Sequence, residues 1–227
     1  MTAFHPLPEA LRTALFAAAD PQIAPQMQAY MKSEMPFLGI HTPTRKQLYR
    51  EAWKAHPVRN PEEYEWVVRN LWELARHREE RYAALATAER YANLLSPEML
   101  PLLQEMIITG AWWDYVDLIA ANLVGRLLRS HPAELKPLLR RWIESDNLWI
   151  RRTAILSQLR HKESTDSEML FTFCDTQLED TSFWIRKAIG WALREYSKCD
   201  PKSVRRFIDD NGSRMSGLTR REASKYV

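Results

Sequence analysis

Apolar residues recur three and four apart along most of the chain, as in EEYEWVVRNLWELAR from Glu62 and PEMLPLLQEMIITG from Pro97. That spacing puts one apolar stripe on a helix, and no stretch alternates cleanly at period two. Thr42-Pro43, Asn60-Pro61, Ser96-Pro97 and Asp200-Pro201 each set a capping side chain before a proline, the signature of a helix start. The longest irregular stretch lies at residues 35–43, MPFLGIHTP. The pattern predicts an all-α chain of roughly ten to twelve helices of ordinary length.

A repeat lies over this pattern. NLWIRRTAILSQL begins at Asn147 and SFWIRKAIGWALR at Ser182, with Trp149 and Trp184 35 residues apart. Trp113, in AWWDYVDLIAANL, precedes Trp149 by 36 residues. A helix pair with its turns fills such a period, and the tetratricopeptide signature is absent. The expected architecture is an α-α superhelix of stacked HEAT-like helical hairpins whose concave face holds something long, with residues 1–227 as a single domain.

Composition narrows the class. With 6 Gly and an apolar fraction of 45%, the 227-residue chain reads as a soluble helical protein. No apolar run approaches the ~18 residues of a membrane span, and MTAFHPLPEALRT has neither the basic start nor the apolar block of a secretory signal. Two cysteines, Cys174 and Cys199, make no disulfide scaffold or zinc site, so a reducing cytoplasm is expected. The six histidines show no metal-ligand spacing, and no nucleotide-binding glycine motif or G-x-S-x-G occurs. Metal and cofactor are therefore expected to be none. Residues 1–113 hold 12 basic and 13 acidic side chains, a net of −1; residues 114–227 hold 20 and 16, a net of +4. The basic half is compatible with a polyanionic partner.

Three segments carry candidate chemistry. On a helical wheel for residues 112–128, Trp112, Val116, Ile119, Leu123 and Leu127 form the core stripe. Trp113 and Asp117 share the adjoining face, with Ala121, Val124 and Leu128 around the carboxylate. Asp117 has no basic residue at i±3 or i±4, so it needs a distant partner or water. Arg152 falls amid the apolar arc of residues 148–160, and arginine is almost never buried unpaired. Asp117, Arg152 and Lys187 succeed one another at steps of 35 residues, which predicts a row across adjacent repeats. A salt bridge between the first two is the plain structural alternative to catalysis. On residues 183–196, Phe183, Lys187, Trp191 and Arg194 interleave rings with cations, a surface suited to sugar and phosphate. Lys32, Arg45, Lys46, Arg50 and Arg160 could extend a phosphate track, while HREER at His77–Arg81 reads as a solvated charge run.

At these residues the chain resembles the AlkD family of DNA alkylation-repair glycosylases. The likeness spans nearly the whole sequence through AYMKSEMPFLGIHTPTRKQL, WWDYVD, SDNLWIRRTAI, IRKAIGWALREYSK and LTRREASKYV. It implies hydrolysis of the N-glycosidic bond of N3- or N7-alkylated purines in duplex DNA, by a monofunctional enzyme of base excision repair. It places the key acid on Asp117, the sugar- and lesion-facing tryptophans on Trp113 and Trp191, and the active-site arginine on Arg152. The DNA-approaching loop falls on His41, Thr42 and Pro43, where many relatives carry Gln in place of His41. The implied partner is alkylated duplex DNA, met as a monomer without an obligate protein partner or a membrane. Arg152 is expected both to hold Asp117 ionised and to touch phosphate, and Lys187 to contact phosphate. The rival from another class is a non-catalytic helical-repeat scaffold binding DNA or protein.

Overall fold

The computed structural model describes residues 4–227, which are helical with short connections. They divide into two compact units that meet in sequence at Leu102 and Leu103.

The N-terminal unit contains α1 (Leu7–Ala17), α2 (Ala24–Met31), α3 (Thr42–Ala55), α4 (Pro61–Glu73) and α5 (Arg78–Arg90). Here α1 packs on α3, α4 and α5, and α4 pairs with α5. Its core is built from Leu7, Leu11, Leu15, Tyr64, Val67, Leu71, Trp72 and Leu85, all essentially without solvent contact. Asn60 caps α4 by accepting from the Glu63 N–H at 2.8 Å. At α3 the capping position is His41, one residue earlier than expected, and no side chain fills it. The Thr42 hydroxyl instead accepts from Arg45 Nη2 at 2.9 Å, one turn inside the helix.

The C-terminal unit contains α6 (Leu100–Gly110, shared with the boundary), α7 (Trp113–Leu118), α8 (Gly125–Ser130), α9 (Pro132–Trp142), α10 (Leu148–Leu156), α11 (Ser167–Thr176), α12 (Phe183–Tyr196), α13 (Pro201–Asn211) and α14 (Gly217–Ala223). One row runs α7, α10, α12, α14, each packing on the next. A second row, α9, α11 and α13, leans on the first: α9 on α8 and α10, α11 on α10, α13 on α12 and α14. This is a two-layer stack of helical hairpins, as the 35-residue period requires. The caps repeat as well. Asn147, Asp166, Ser182, Asp200 and Ser216 each accept from a first-turn N–H of the helix they precede.

The first Arg of each W-I-R motif braces the loop before its helix. Arg151 Nη1 donates to the Ser145 carbonyl at 2.7 Å, and Arg186 Nε to the Asp180 carbonyl at 2.9 Å, both six residues back. The second basic position, Arg152 or Lys187, is thereby left to act between repeats.

The predicted 112–128 helix is interrupted. Residues Ile119–Val124 form a π-helical turn between α7 and α8, where the 100° wheel no longer holds. Most of the predicted stripe is nonetheless inside: Val116, Ile119, Leu123 and Leu127 are buried, while Trp112, ahead of α7, is half-buried. Immediately after the π turn, Gly125 meets α10 so closely that an added Cβ would lie 2.4 Å from the Ser157 carbonyl oxygen. The Gly125 carbonyl in turn accepts from His161 Nε2 at 2.8 Å. Gly125→Ala gains helix propensity but must push two backbones apart. It is expected to destabilise the protein by roughly 1–3 kcal/mol, read as a lowered midpoint in urea unfolding. An unchanged midpoint would refute the close contact.

Candidate functional site

The row predicted at steps of 35 residues resolves into two ion pairs. Arg152 Nε and Nη2 donate to the two Asp117 carboxylate oxygens at 2.7 and 2.8 Å, a bidentate clasp from α10 to α7. Arg152 Nη1 donates to the Trp184 carbonyl on α12 at 2.5 Å, so one guanidinium ties three helices of the first row. Lys187 Nζ reaches forward one more repeat, to Glu222 Oε1 on α14 at 3.1 Å. Glu222 was not foreseen, although the same step of 35 from Lys187 lands on it.

The Asp117–Arg152 pair is graded in exposure. The arginine side chain is 4% exposed and the aspartate 13%, so the carboxylate is the outer member. Burial pushes the Asp117 carboxyl above the ordinary carboxylate range, against the pull of the Arg152 guanidinium. Arg152 is buried and gives one N–H each from Nε, Nη1 and Nη2 to Asp117 and Trp184, which fixes the carboxylate and leaves one N–H on each terminal nitrogen for the expected phosphate contact.

Aromatic rings crowd the same helix starts. Trp112, Trp149 and Trp184 form a triad, with centroids 5.3 Å (Trp112–Trp184), 5.6 Å (Trp149–Trp184) and 6.2 Å (Trp112–Trp149) apart. The Arg152 guanidinium lies 5.8 Å from the Trp184 ring centroid. Trp113, next to the triad in sequence, stands exposed in the first turn of α7, and Phe183 is more exposed still. Ala111, at φ +40, makes the left-handed bend that separates this start from α6. Trp191 is half-buried on α12, one turn from both Lys187 and Arg194.

Lys187 and Arg194 are not free cations. Both bond Glu222, Arg194 at 2.5 Å, and Lys225 joins them at 2.9 Å. Gly190 permits this: a Cβ there would lie 2.5 Å from the Glu222 Cβ. Three cations share one carboxylate, leaving an excess of positive charge along α12 and α14. Arg160, by contrast, is exposed past the end of α10.

The remaining predicted positions belong to the N-terminal unit. His41, Thr42 and Pro43 are exposed at the start of α3, and Arg45 lies with its guanidinium 4.3 Å from the Tyr82 ring centroid. Lys32, Lys46 and Arg50 are exposed. The HREER run is the reverse of a solvated face: Arg78, Glu79 and Glu80 are buried. Glu79 accepts from the backbone N–H groups of Leu38, Gly39 and Ile40 at 2.9, 3.0 and 3.2 Å. Arg78 donates its N–H to the Pro36 carbonyl and its Nη1 to Ser33 Oγ. Glu80 accepts from Arg12 Nε and from the N–H groups of Arg76 and His77. Arg78 and Glu79 are thus solvated by the 33–40 loop instead of by water, and they fix the strand of chain that leads into His41. Gly39, at φ +86 and with Asp20 O 2.1 Å from any added Cβ, makes that path possible.

Lys225 and Lys187 pull the Glu222 carboxyl down to about 2. A depressed carboxyl stabilises the fold above its unfolded value near 4.5 and loses that contribution as pH falls toward 2. Glu222→Gln is expected to cost about 1 kcal/mol at pH 7, since Lys187 and Lys225 are more than one-third exposed. The gap from wild type should shrink in urea melts between pH 4.5 and pH 2. A gap independent of pH would exclude the carboxylate as its source.

Comparison with known proteins follows from this geometry. The profile of the family described as DNA alkylation repair enzyme matches residues 11–227. Among solved structures, a predicted DNA alkylation repair enzyme from Enterococcus faecalis superposes with a TM-score of 0.83 at 31% identity, covering 92% of this chain and 96% of that one. No curated protein matches the chain. No helix among the described residues is long and apolar enough to cross a membrane. With a carboxylate held by one arginine in a two-layer helical stack, and a family profile running over nearly its full length, the chain belongs to the DNA alkylation repair enzyme family.

Proposed function

We propose that the protein is a monofunctional DNA glycosylase that hydrolyses the N-glycosidic bond of N3- or N7-alkylated purines in duplex DNA, with both units acting as one domain. The observation that carries this reading is the Asp117 carboxylate, the outer member of a pair whose inner member is almost wholly buried.

Alkylation at N3 or N7 makes the purine cationic, so the base leaves without a strong acid to protonate it. Positive charge then moves to the deoxyribose as the bond stretches. A fixed carboxylate beside that sugar stabilises the charge and orients a water. Arg152 weakens the field of Asp117, yet it also keeps the carboxylate in one place and favours its ionised form. Trp113 and Trp191 would turn ring faces toward the same cation, each worth about 0.5–2 kcal/mol. Lys187 and Arg194, aligned by Glu222, would contact phosphate through the N–H groups that Glu222 does not use. Arg160 and the exposed start of α3, with His41, Thr42, Pro43 and Arg45, would meet the DNA elsewhere along the strand. No cofactor or metal enters this scheme, and the cell's DNA is where it would act.

The bidentate clasp favours one second reading: Asp117 as a structural ion pair in a non-catalytic scaffold. The two separate on methylated duplex. Wild-type protein should release 3-methyladenine or 7-methylguanine, and Asp117→Asn should slow single-turnover release by roughly 10²-fold or more. Thermal melts monitor folding of the variant. Because the Asp117 carboxyl is raised, the wild-type rate should fall on acidification at a pH above the ordinary carboxylate range. Full release by a folded Asp117→Asn protein would leave only the scaffold.

A further inference from the structure

We propose that a basic cleft at the far ends of α8, α10 and α12 seats phosphate groups of the DNA backbone, a second anchoring point apart from the Asp117–Arg152 pair. The proposal rests on the reading of the protein as DNA-acting, and it assigns new roles to Arg129 and Lys162.

The cleft measures about 800 Å³ and lies wholly within the C-terminal unit. Arg129, Arg160, Lys162 and Lys198 line it with Glu163 and Glu195; Lys198 Nζ is paired with Glu195 Oε2 at 2.6 Å, which leaves Arg129, Arg160 and Lys162 against Glu163. His161 adds no charge: burial lowers its pKa, and Nε2 is engaged by the Gly125 carbonyl. Ile155, Leu170 and Ala192 give the cleft an apolar floor, and the half-buried ring of Tyr196 offers a surface for a sugar.

Cations near helix C-termini often do no more than complement the helix dipole, and Arg129, in the last turn of α8, fits that role. Arg160 and Lys162 do not. They lie four and six residues beyond Leu156, where α10 ends and where the dipole has faded. Among the described residues, neither side chain has a hydrogen-bond or ion-pair partner. Lys162 also holds φ +52, a left-handed conformation that a residue with a Cβ adopts at a cost. Glycine would sit there more easily. The Lys162 carbonyl is held by the Thr165 N–H and hydroxyl at 3.1 and 2.7 Å, so the turn fixes the backbone and leaves the ammonium unpartnered on the cleft wall, where a phosphate can reach it.

The three remaining cations come from the ends of two helices, α8 and α10, which suits an extended strand better than one compact anion. Eight residues separate Arg152 from Arg160. Four of those steps complete α10, about 6 Å of axial rise, and the chain then turns toward the cleft. A duplex whose damaged sugar meets Asp117 would thus bring downstream phosphates to this wall.

The test uses the whole 227-residue chain and an undamaged short duplex, with affinity measured by fluorescence anisotropy across the salt range. Arg129→Ala combined with Lys162→Ala should reduce the slope of log K against log salt by about 1.8, two phosphate contacts' worth. Lys162→Gly removes the strain together with the charge. It should melt no lower than wild type and still lose about 0.9 of the slope. Arg205→Ala, at an exposed cation on α13, should leave the slope as it is. Unchanged slopes in both cleft variants, or a wild-type protein that binds no duplex, would overturn the proposal. So would a cleft that takes inorganic tripolyphosphate, seen as a thermal shift lost in Lys162→Gly, while duplex slopes stay fixed. Base release from methylated duplex, measured in parallel, separates the two claims. Release with unchanged slopes sinks only the cleft, and altered slopes without release sink only the glycosylase.

Discussion

One guanidinium occupying both oxygens of Asp117 is the constraint on which the C-terminal unit turns. Arg152 lies almost out of solvent and also takes the Trp184 carbonyl, so α7, α10 and α12 are registered by a single side chain. Removing either partner would leave a buried charge uncompensated, a loss of about 3–5 kcal/mol in such settings. In the proposed reaction the same contact would set the chemistry. It dilutes the negative field of the carboxylate while denying it the freedom to swing away or to find another cation. With the more exposed end of the pair being the anion, the net dipole presents its negative pole outward. A developing sugar cation would meet that pole without any reorganisation of the site.

The cations of this fold divide by position in a repeated motif. Arg151 and Arg186 brace the loops that precede their own helices. Arg152 and Lys187, one residue later, join neighbouring repeats through carboxylates 35 residues away. Glu222 extends the logic by gathering Lys187, Arg194 and Lys225 around one carboxylate. The positive surface along α12 and α14 is thus pre-shaped, with long side chains held in place before any anion arrives. That ordering lowers the entropic cost of binding a phosphate, though it also lowers the charge on offer.

Much of this was legible because helical repeats write their geometry into sequence spacing. The 35-residue step joined Asp117 to Arg152 and would have reached Glu222 had it been carried one period further. Caps at Asn60 and Asp200 followed from local chemistry alone. What failed was local reading of tertiary facts. The HREER run has the composition of a solvated face, yet Glu79 is solvated by three backbone N–H groups from a loop some forty residues earlier. No spacing rule announces such a partner. The π turn at Ile119–Val124 also escaped, because its sequence has ordinary helical periodicity and the irregularity arises where Gly125 presses on α10. Lys187 reads as a free phosphate ligand in sequence because its carboxylate partner, Glu222, stands on α14, 35 residues away.

The ionisation of Asp117 is the point on which the chemical reading stands. Carbon-13 labelling of the aspartate carboxyls, assigned by comparison with Asp117→Asn, would follow its titration directly by NMR. The account predicts an ionised carboxylate at pH 7, with a midpoint above the normal aspartate range, since burial outweighs the pull of Arg152. A carboxyl still protonated at neutral pH could offer no charge to the sugar and would contradict it.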